Sequence, residues 1–242
     1  MTTEAHRMTV SGVRVAVVRK AIKNLHLGVY PPDGRVRVAV PLAVSDAAVR
    51  VAVIGKLRWI RRQQEGFAKQ ARQSEREMVA GESHYYLGRR HRLVVIEESG
   101  TAHVVARKRR TLELHVPVGC DAAKRELVLQ RWYRERMREL VPPLIEKWQT
   151  ELGVDVSHWG IKKMKTRWGS CNAEARRVWL NLELVKKPPE CLEYLVVHEL
   201  VHLLVRTHDE RFHALMDRHL PRWKHVRRVL NAAPLANEAW EC

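Results

Sequence analysis

The chain lacks several features that would assign it to a familiar class. Its four cysteines, Cys120, Cys171, Cys191 and Cys242, form no C-x-x-C pair. That pattern argues against a thiolate zinc cluster and reads as free thiols in a reducing compartment. The N-terminal Met-Thr-Thr-Glu-Ala-His-Arg has no signal-peptide apolar region, and no run is long enough to span a bilayer. These absences predict a soluble, cytoplasmic protein. No glycine-rich loop is present to cradle phosphates. Acidic residues are also scarce, with 27 Asp and Glu against 44 Lys and Arg, for a net charge of +17. So basic a chain favours anionic partners such as nucleic acid, nucleotides or an acidic protein. The charge is spread along the chain with little aromatic interleaving, so an arginine-rich solvated surface explains it equally well.

The chemistry present is concentrated in His198-Glu199-Leu200-Val201-His202. On a helix, an H-E-x-x-H spacing sets both imidazoles on one face, one turn apart, where they can grip one Zn2+ ion. Glu199 beside them can take a proton from an activated water. The segment from Leu192 to Val205 is apolar nearly all round, which predicts a buried helix, and Pro188-Pro189-Glu190 suits its start. Thr207 to Glu210 has the pattern of a capping box and predicts a second helix with His208 in its first turn and Phe212 on the same face. His208 is then the third ligand, and three histidines leave a position open for catalysis. His213, His219 and His225 read as surface or packing residues.

The remaining chain reads as α+β. Alternating residues predict strands near Arg7–Arg19, Leu25–Tyr30 and Arg35–Val40, arranged as a meander or hairpin set, with Pro31-Pro32-Asp33-Gly34 as a turn. Ser45-Asp46 caps an expected long helix from Ala47 to about Glu77, whose later part is rich in Arg, Lys and Gln. Strands return at Tyr85–Leu87, Arg90–Glu97, Thr101–Arg107 and Thr111–Val116, with Arg107–Arg110 crossing an exposed loop. A helix from Asp121 to Leu152 follows, with Leu127, Trp132, Met137, Leu140, Leu144, Ile145 and Trp148 as packing candidates. Pro142-Pro143 is expected to kink or split it. Val154–Met164 and Arg177–Val185 read as strands around a sharp turn at Lys165–Asn172, and Pro221–Leu230 as a short helix. The strand leading into the zinc helix suits an edge that pairs with an extended peptide. The expected organisation is a β-rich region with one long basic helix over 1–120, then a helical linker and catalytic module over 121–242.

Lys165-Thr166-Arg167-Trp168-Gly169-Ser170-Cys171, Leu180-Asn181-Leu182, Pro188, the H-E-x-x-H, His208-x-x-x-Phe212 and His219-Leu-Pro-Arg-Trp223 together resemble the YgjP-like metallopeptidase family, related to the SprT-like proteases. His84-Tyr-Tyr-Leu-Gly-Arg-Arg90 and the β-rich opening fit as well, so the resemblance spans most of the chain. It implies a gluzincin-like zinc hydrolase with His198, His202 and His208 as ligands and Glu199 as general base. It also admits two directions for substrate. SprT-like relatives include proteases acting on DNA-crosslinked proteins, and some YgjP-like proteins are described as UTP pyrophosphatases. This chain departs from the family pattern at His213, where an aromatic residue is common.

Taken with that resemblance, the leading reading is a zinc metallopeptidase hydrolysing peptide bonds. A nucleotide pyrophosphatase at the same site is the enzyme alternative, with Arg167, Lys162, Lys163 and Lys165 to hold a triphosphate. A nucleic-acid-associated protein with structural zinc is the third. Arg167 can hold a substrate carboxylate or phosphate, or serve only the turn; Trp168 and Gly169 read as a packed turn.

Overall fold

In the computed structural model, residues 5–30, 34–69, 76–164 and 167–232 are described. They belong to two compact units, one within residues 1–74 and the other within 75–233. No helix among the described residues is long and apolar enough to cross a membrane.

The first unit holds β1 (Ala5–Val10), β2 (Val13–Lys20), β3 (His26–Tyr30) and β4 (Arg35–Pro41) in the order β1-β2-β4-β3. This is not the expected meander, because β2 and β4 pair in parallel while the outer pairs are antiparallel. Period-two alternation points Val15, Val17, Val36, Val38 and Val40 into one core with Val49, Val53 and Ile60. The last three come from α1 (Asp46–Gly55) and α2 (Leu57–Lys69). Ser45 caps α1, its Oγ accepting the Ala48 N–H at 3.3 Å. The single helix expected over 47–77 is two helices. They part at Lys56 (φ −111°, ψ 6°), just after Gly55, a poor helix former. Residues 76–79 are not helical, and 70–75 lie outside the described residues. Of the expected Pro31–Gly34 turn, only Gly34 is described, with φ +69°.

The second unit opens with the same plan. Strands β5 (Ser83–Tyr86), β6 (Arg89–Glu97), β7 (His103–Arg107) and β8 (Thr111–Val116) run β5-β6-β8-β7, again with a parallel central pair. Equivalent positions lie 76 residues apart: Val13 and Arg89, Val36 and Leu112, and the helix caps Ser45 and Asp121. Each repeat starts with a two-residue hairpin turn at positive φ, Ser11 (47°) and Gly12 (80°) in one, Leu87 (48°) and Gly88 (74°) in the other. That turn matches the twist of the strands it joins.

Helix α3 (Ala122–Leu152) follows, capped by Asp121, which accepts the Lys124 N–H at 2.8 Å, and ended by Gly153 at φ +63°. Pro142 and Pro143 do not split it. Both prolines are exposed, so the carbonyls they leave unpaired can meet water, while Val141, Ile145, Trp148 and Leu152 hold the opposite stripe in the core. Leu127, expected to pack, is 64% exposed, and Leu129 takes the buried place.

The rest of this unit adds β9 (His158–Lys162), β10 (Gly169–Asn172) and β11 (Arg177–Asn181), ordered β10-β11-β9. A 3-10 turn (Leu182–Lys186) leads to α4 (Pro189–Val201), α5 (Glu210–His219) and α6 (Trp223–Ala232). Two expectations change here. The stretch after Arg167 is a strand, not a turn, and the strand from Arg177 stops at Asn181. The boundary expected at 120/121 runs inside this unit, because Leu93, Leu112 and Leu114 share one core with Met137, Leu184, Val197 and Leu200. The β5–β6 turn clasps the entry to α4. Leu87 and Gly88 donate N–H groups to the Val185 and Lys186 carbonyls at 2.9 and 3.2 Å. A Cβ at Gly88 would lie 2.9 Å from the Pro188 backbone, so only glycine lets the hairpin approach.

Candidate active site

Helix α4 is buried along most of its length, as its apolar sequence requires, and each fully buried Leu or Val contributes about 1.5–3 kcal/mol. It ends one residue short of His202, which is the C-cap but keeps helical angles (φ −66°, ψ −14°). His202 therefore still lies one turn from His198, with ring centroids 4.9 Å apart. His208 comes from the loop before α5 rather than from its first turn. Asp209 is the actual cap, accepting the Phe212 N–H at 3.0 Å, while Thr207 Oγ1 donates to Asp209 at 2.8 Å. The expected Thr207–Glu210 box is thus displaced by a better acceptor one residue before the helix.

The three imidazoles converge as their spacing predicts. His198 Nε2 and His208 Nε2 lie 3.1 Å apart, and the three residues can each offer a ligand atom within 4.8 Å of the others. His202 donates from Nδ1 to the Val205 carbonyl at 3.0 Å, which leaves its Nε2 lone pair available. Phe212 supports the group from one side, with its ring 5.0, 4.9 and 4.6 Å from those of His198, His202 and His208. Burial, followed by the charges of His202, His208 and Arg227, pushes His198 down to about 3. Its ring is neutral, the form that ligates a metal. Two imidazole nitrogens this close share either a proton or a cation, and with the third nitrogen turned to the same point the donor set fits a metal ion; imidazoles suit zinc better than magnesium.

Glu199 is 4% exposed, and burial raises its carboxyl to about 8, with Arg167 acting in the opposite direction. A divalent cation beside it would bring that value down. It packs against Gly169 on β10: a Cβ there would lie 2.5 Å from Glu199 Oε1. The glycine in the Trp-Gly-Ser stretch is therefore the space in which the carboxylate sits, a role the sequence reading assigned only to turn packing. Buried Asn181 arranges the preceding loop. Its Nδ2 donates to the carbonyls of Met164 and Arg167, each at 2.8 Å, and its N–H donates to the Trp168 carbonyl at 2.8 Å. Its Oδ1 accepts from the N–H groups of Met164 and Glu183 at 3.3 and 3.2 Å. A lone amide among alternating apolar strand residues was the available signal.

Arg167 is exposed and close enough to act on the Glu199 charge. Two of the other cations expected to hold a triphosphate have local partners. Lys162 Nζ sits 3.6 Å from the Trp179 ring centroid, and Lys163 Nζ lies 3.8 Å from Glu126. Lys165 lies outside the described residues. On the far side, Trp223 is stacked between His213 and Tyr194, at 5.7 and 6.4 Å with both interplanar angles 7°. His213 thus packs, as expected. Tyr194, one turn before His198 and 5.7 Å from it, was not singled out in the sequence.

A second His/Glu grouping, Glu98, His103 and His115, lies on β7 and β8 and the loop before them. The two rings, from cross-strand partners, stack at 4.4 Å and 8°. In-plane lone pairs of parallel stacked rings do not meet at one ion, so these residues as placed are not a metal centre.

With the site assembled, its kinship can be stated. The family description YgjP-like, metallopeptidase domain, matches residues 23–233. The chain belongs to the YgjP-like metallopeptidase family. No curated protein matches it. Among solved structures, the metallopeptidase zymogen of Pyrococcus abyssi abylysin aligns over 39% of this chain and 99% of its own, at 22% identity and a TM-score of 0.35. Membership in the family makes this YgjP-like chain a metal-dependent hydrolase of the peptidase type.

Proposed function

We propose that this YgjP-like protein is a zinc metallopeptidase in which His198, His202 and His208 hold the metal and Glu199 is the general base. The observation that carries this is the buried Glu199 carboxylate, seated against Gly169 at the start of β10 beside three converging imidazoles. Zinc held there would supply Lewis acidity, lowering the pKa of its water toward about 7 and polarising the scissile carbonyl. Glu199 takes a proton from the attacking water and delivers it to the leaving amine. Arg167 offers a guanidinium fork to a substrate carboxylate or carbonyl near the same carboxylate.

The peptide is proposed to bind along β10. The strand from Arg177, expected to be the accepting edge, is β11, whose two sides are taken by β9 and β10. Among the described strands, β10 has a free side, and Gly169 at its start touches Glu199. Strand addition there would carry a peptide bond past the metal.

The test is peptide cleavage by zinc-loaded protein on a mixed peptide library, read by mass spectrometry, with Glu199→Gln as control. Cleavage that disappears in the control is the expected result. Pyrophosphate release from UTP that depends on Glu199, with no peptide cleaved, would overturn this reading in favour of the nucleotide hydrolase. A fourth protein ligand to the metal, seen by X-ray absorption, would instead make the zinc structural.

A further inference from the structure

The first unit holds a disproportionate share of the basic charge. Its described residues contain 13 Lys and Arg against only Asp46 and Glu65, and Asp46 is already engaged by Arg19 and His6. The described residues of the second unit contain 29 against 20. The concentration has a place in the fold. Valines of β1–β4 face α1 and α2, so the alternate residues form the opposite face of the sheet. Across all four strands, Arg7, Ala16, Arg37 and Gly28 stand in one row. In the adjoining row Thr9 pairs with Arg14 and Tyr30 with Arg35. All four arginines are exposed, and Arg7, Arg14 and Arg37 have no ion-pair or hydrogen-bond partner among the described residues.

Between the arginines the face is flat, because Ala16 and Gly28 project little. Tyr30 lies down on it: a Cβ at Gly28 would be 2.7–2.8 Å from Cε2, Cζ and Oη of that ring. The missing side chain at Gly28 is what allows the half-buried ring to rest along β3. Guanidinium forks match phosphate oxygens, and a flat aromatic surface accepts an unpaired base, whose face a duplex would hide. A membrane surface would call for protruding apolar side chains, and these rows have none.

We infer that the outer face of the β1–β4 sheet binds single-stranded nucleic acid, with phosphates on Arg7, Arg14, Arg35 and Arg37 and a base stacked on Tyr30. This is a second binding surface, independent of the peptidase reading.

Fluorescence anisotropy of the full chain with a labelled oligothymidine strand, over a series of salt concentrations, tests it. Four phosphate contacts give a slope of log K against log salt of about −3, since each contributes roughly 0.7 on a single strand. The triple variant Arg7→Ala/Arg14→Ala/Arg37→Ala should weaken binding by at least about tenfold and reduce that slope by about 2. The matching lysine variant should keep the slope. Tyr30→Ala should lose the preference for single strand over duplex, and Tyr30→Phe should keep it. Thermal melts and metal content should match the parent throughout, because these side chains are exposed or half-buried in the first unit. An unchanged slope in the alanine variant overturns the inference. So does the same loss produced instead by Arg58→Ala/Arg61→Ala/Arg62→Ala on α2, or tighter binding to phosphatidylserine vesicles than to the strand.

Discussion

Glu199 and Gly169 act as one feature at the scale of single residues. Changing Glu199 to glutamine keeps the size of the side chain and leaves the three imidazoles untouched, but removes the base. Turnover should fall roughly 10²–10⁴-fold with zinc stoichiometry unchanged by elemental analysis. Gly169→Ala tests the neighbour. The added methyl would stand 2.5 Å from Oε1, so the carboxylate must move or the β10 strand must shift. Activity should drop by more than about tenfold with the metal retained, since a misplaced catalytic group costs rate without loosening the ligands. An active Gly169→Ala variant would show that the carboxylate can work from another position. The proposed ligand pair was legible in the sequence because helical periodicity alone sets His198 and His202 one turn apart. Gly169 was not, because its partner is 30 positions away in the chain.

The elements that carry the site are held by a few polar contacts and by continuous apolar stripes. Asn181 joins the loop before β10, the end of β11 and the turn into α4 through bonds to Met164, Arg167, Trp168 and Glu183. Asn181→Leu would leave the Glu183 N–H and the part-buried Met164 and Arg167 backbone groups without their partner and should cost about 1–3 kcal/mol, read as a lowered midpoint in urea unfolding. An unchanged midpoint would mean water replaces the amide. In α3 the opposite change applies. Pro142→Ala/Pro143→Ala restores N–H donors on the exposed face of a continuous helix and should stabilise the unit by about 1–3 kcal/mol, raising its melting temperature. A lower temperature would show that the prolines are needed for curvature. Here the sequence pattern misled for an identifiable reason. Proline breaks isolated helices, but a stripe of Val141, Ile145, Trp148 and Leu152 in the core overrides that local preference.

For the whole molecule, a buried histidine away from the three converging imidazoles, His84, makes stability depend on pH. Burial, with Arg76 adding to it and Glu82 opposing, lowers His84 to about 4 from an ordinary value of 6.5. The unfolded chain therefore binds this proton between about pH 6.5 and 4 while the folded chain does not, and stability falls as pH drops through that window. Above pH 6.5 the full contribution is present. Denaturation midpoints measured from pH 7 to 4 should decline, and His84→Gln should flatten the decline. A slope identical in both proteins would assign the acid sensitivity to other groups.

The sequence by itself determined the mixed α+β class, most strands, the buried helix α4 and the placing of His198 and His202 one turn apart. These rest on short-range patterns: alternation for strands, the 3.6-residue period for helices, and ligand spacing within one turn. Tertiary structure alone decided the parallel central pairs, the duplication at a spacing of 76 residues, the clasp of Leu87 and Gly88 on the entry to α4, and β10 rather than β11 as the free edge. Each of those depends on which distant segments bury surface together. Alternating valines say that a strand has an inner face, and only the packed chain says which neighbour it meets.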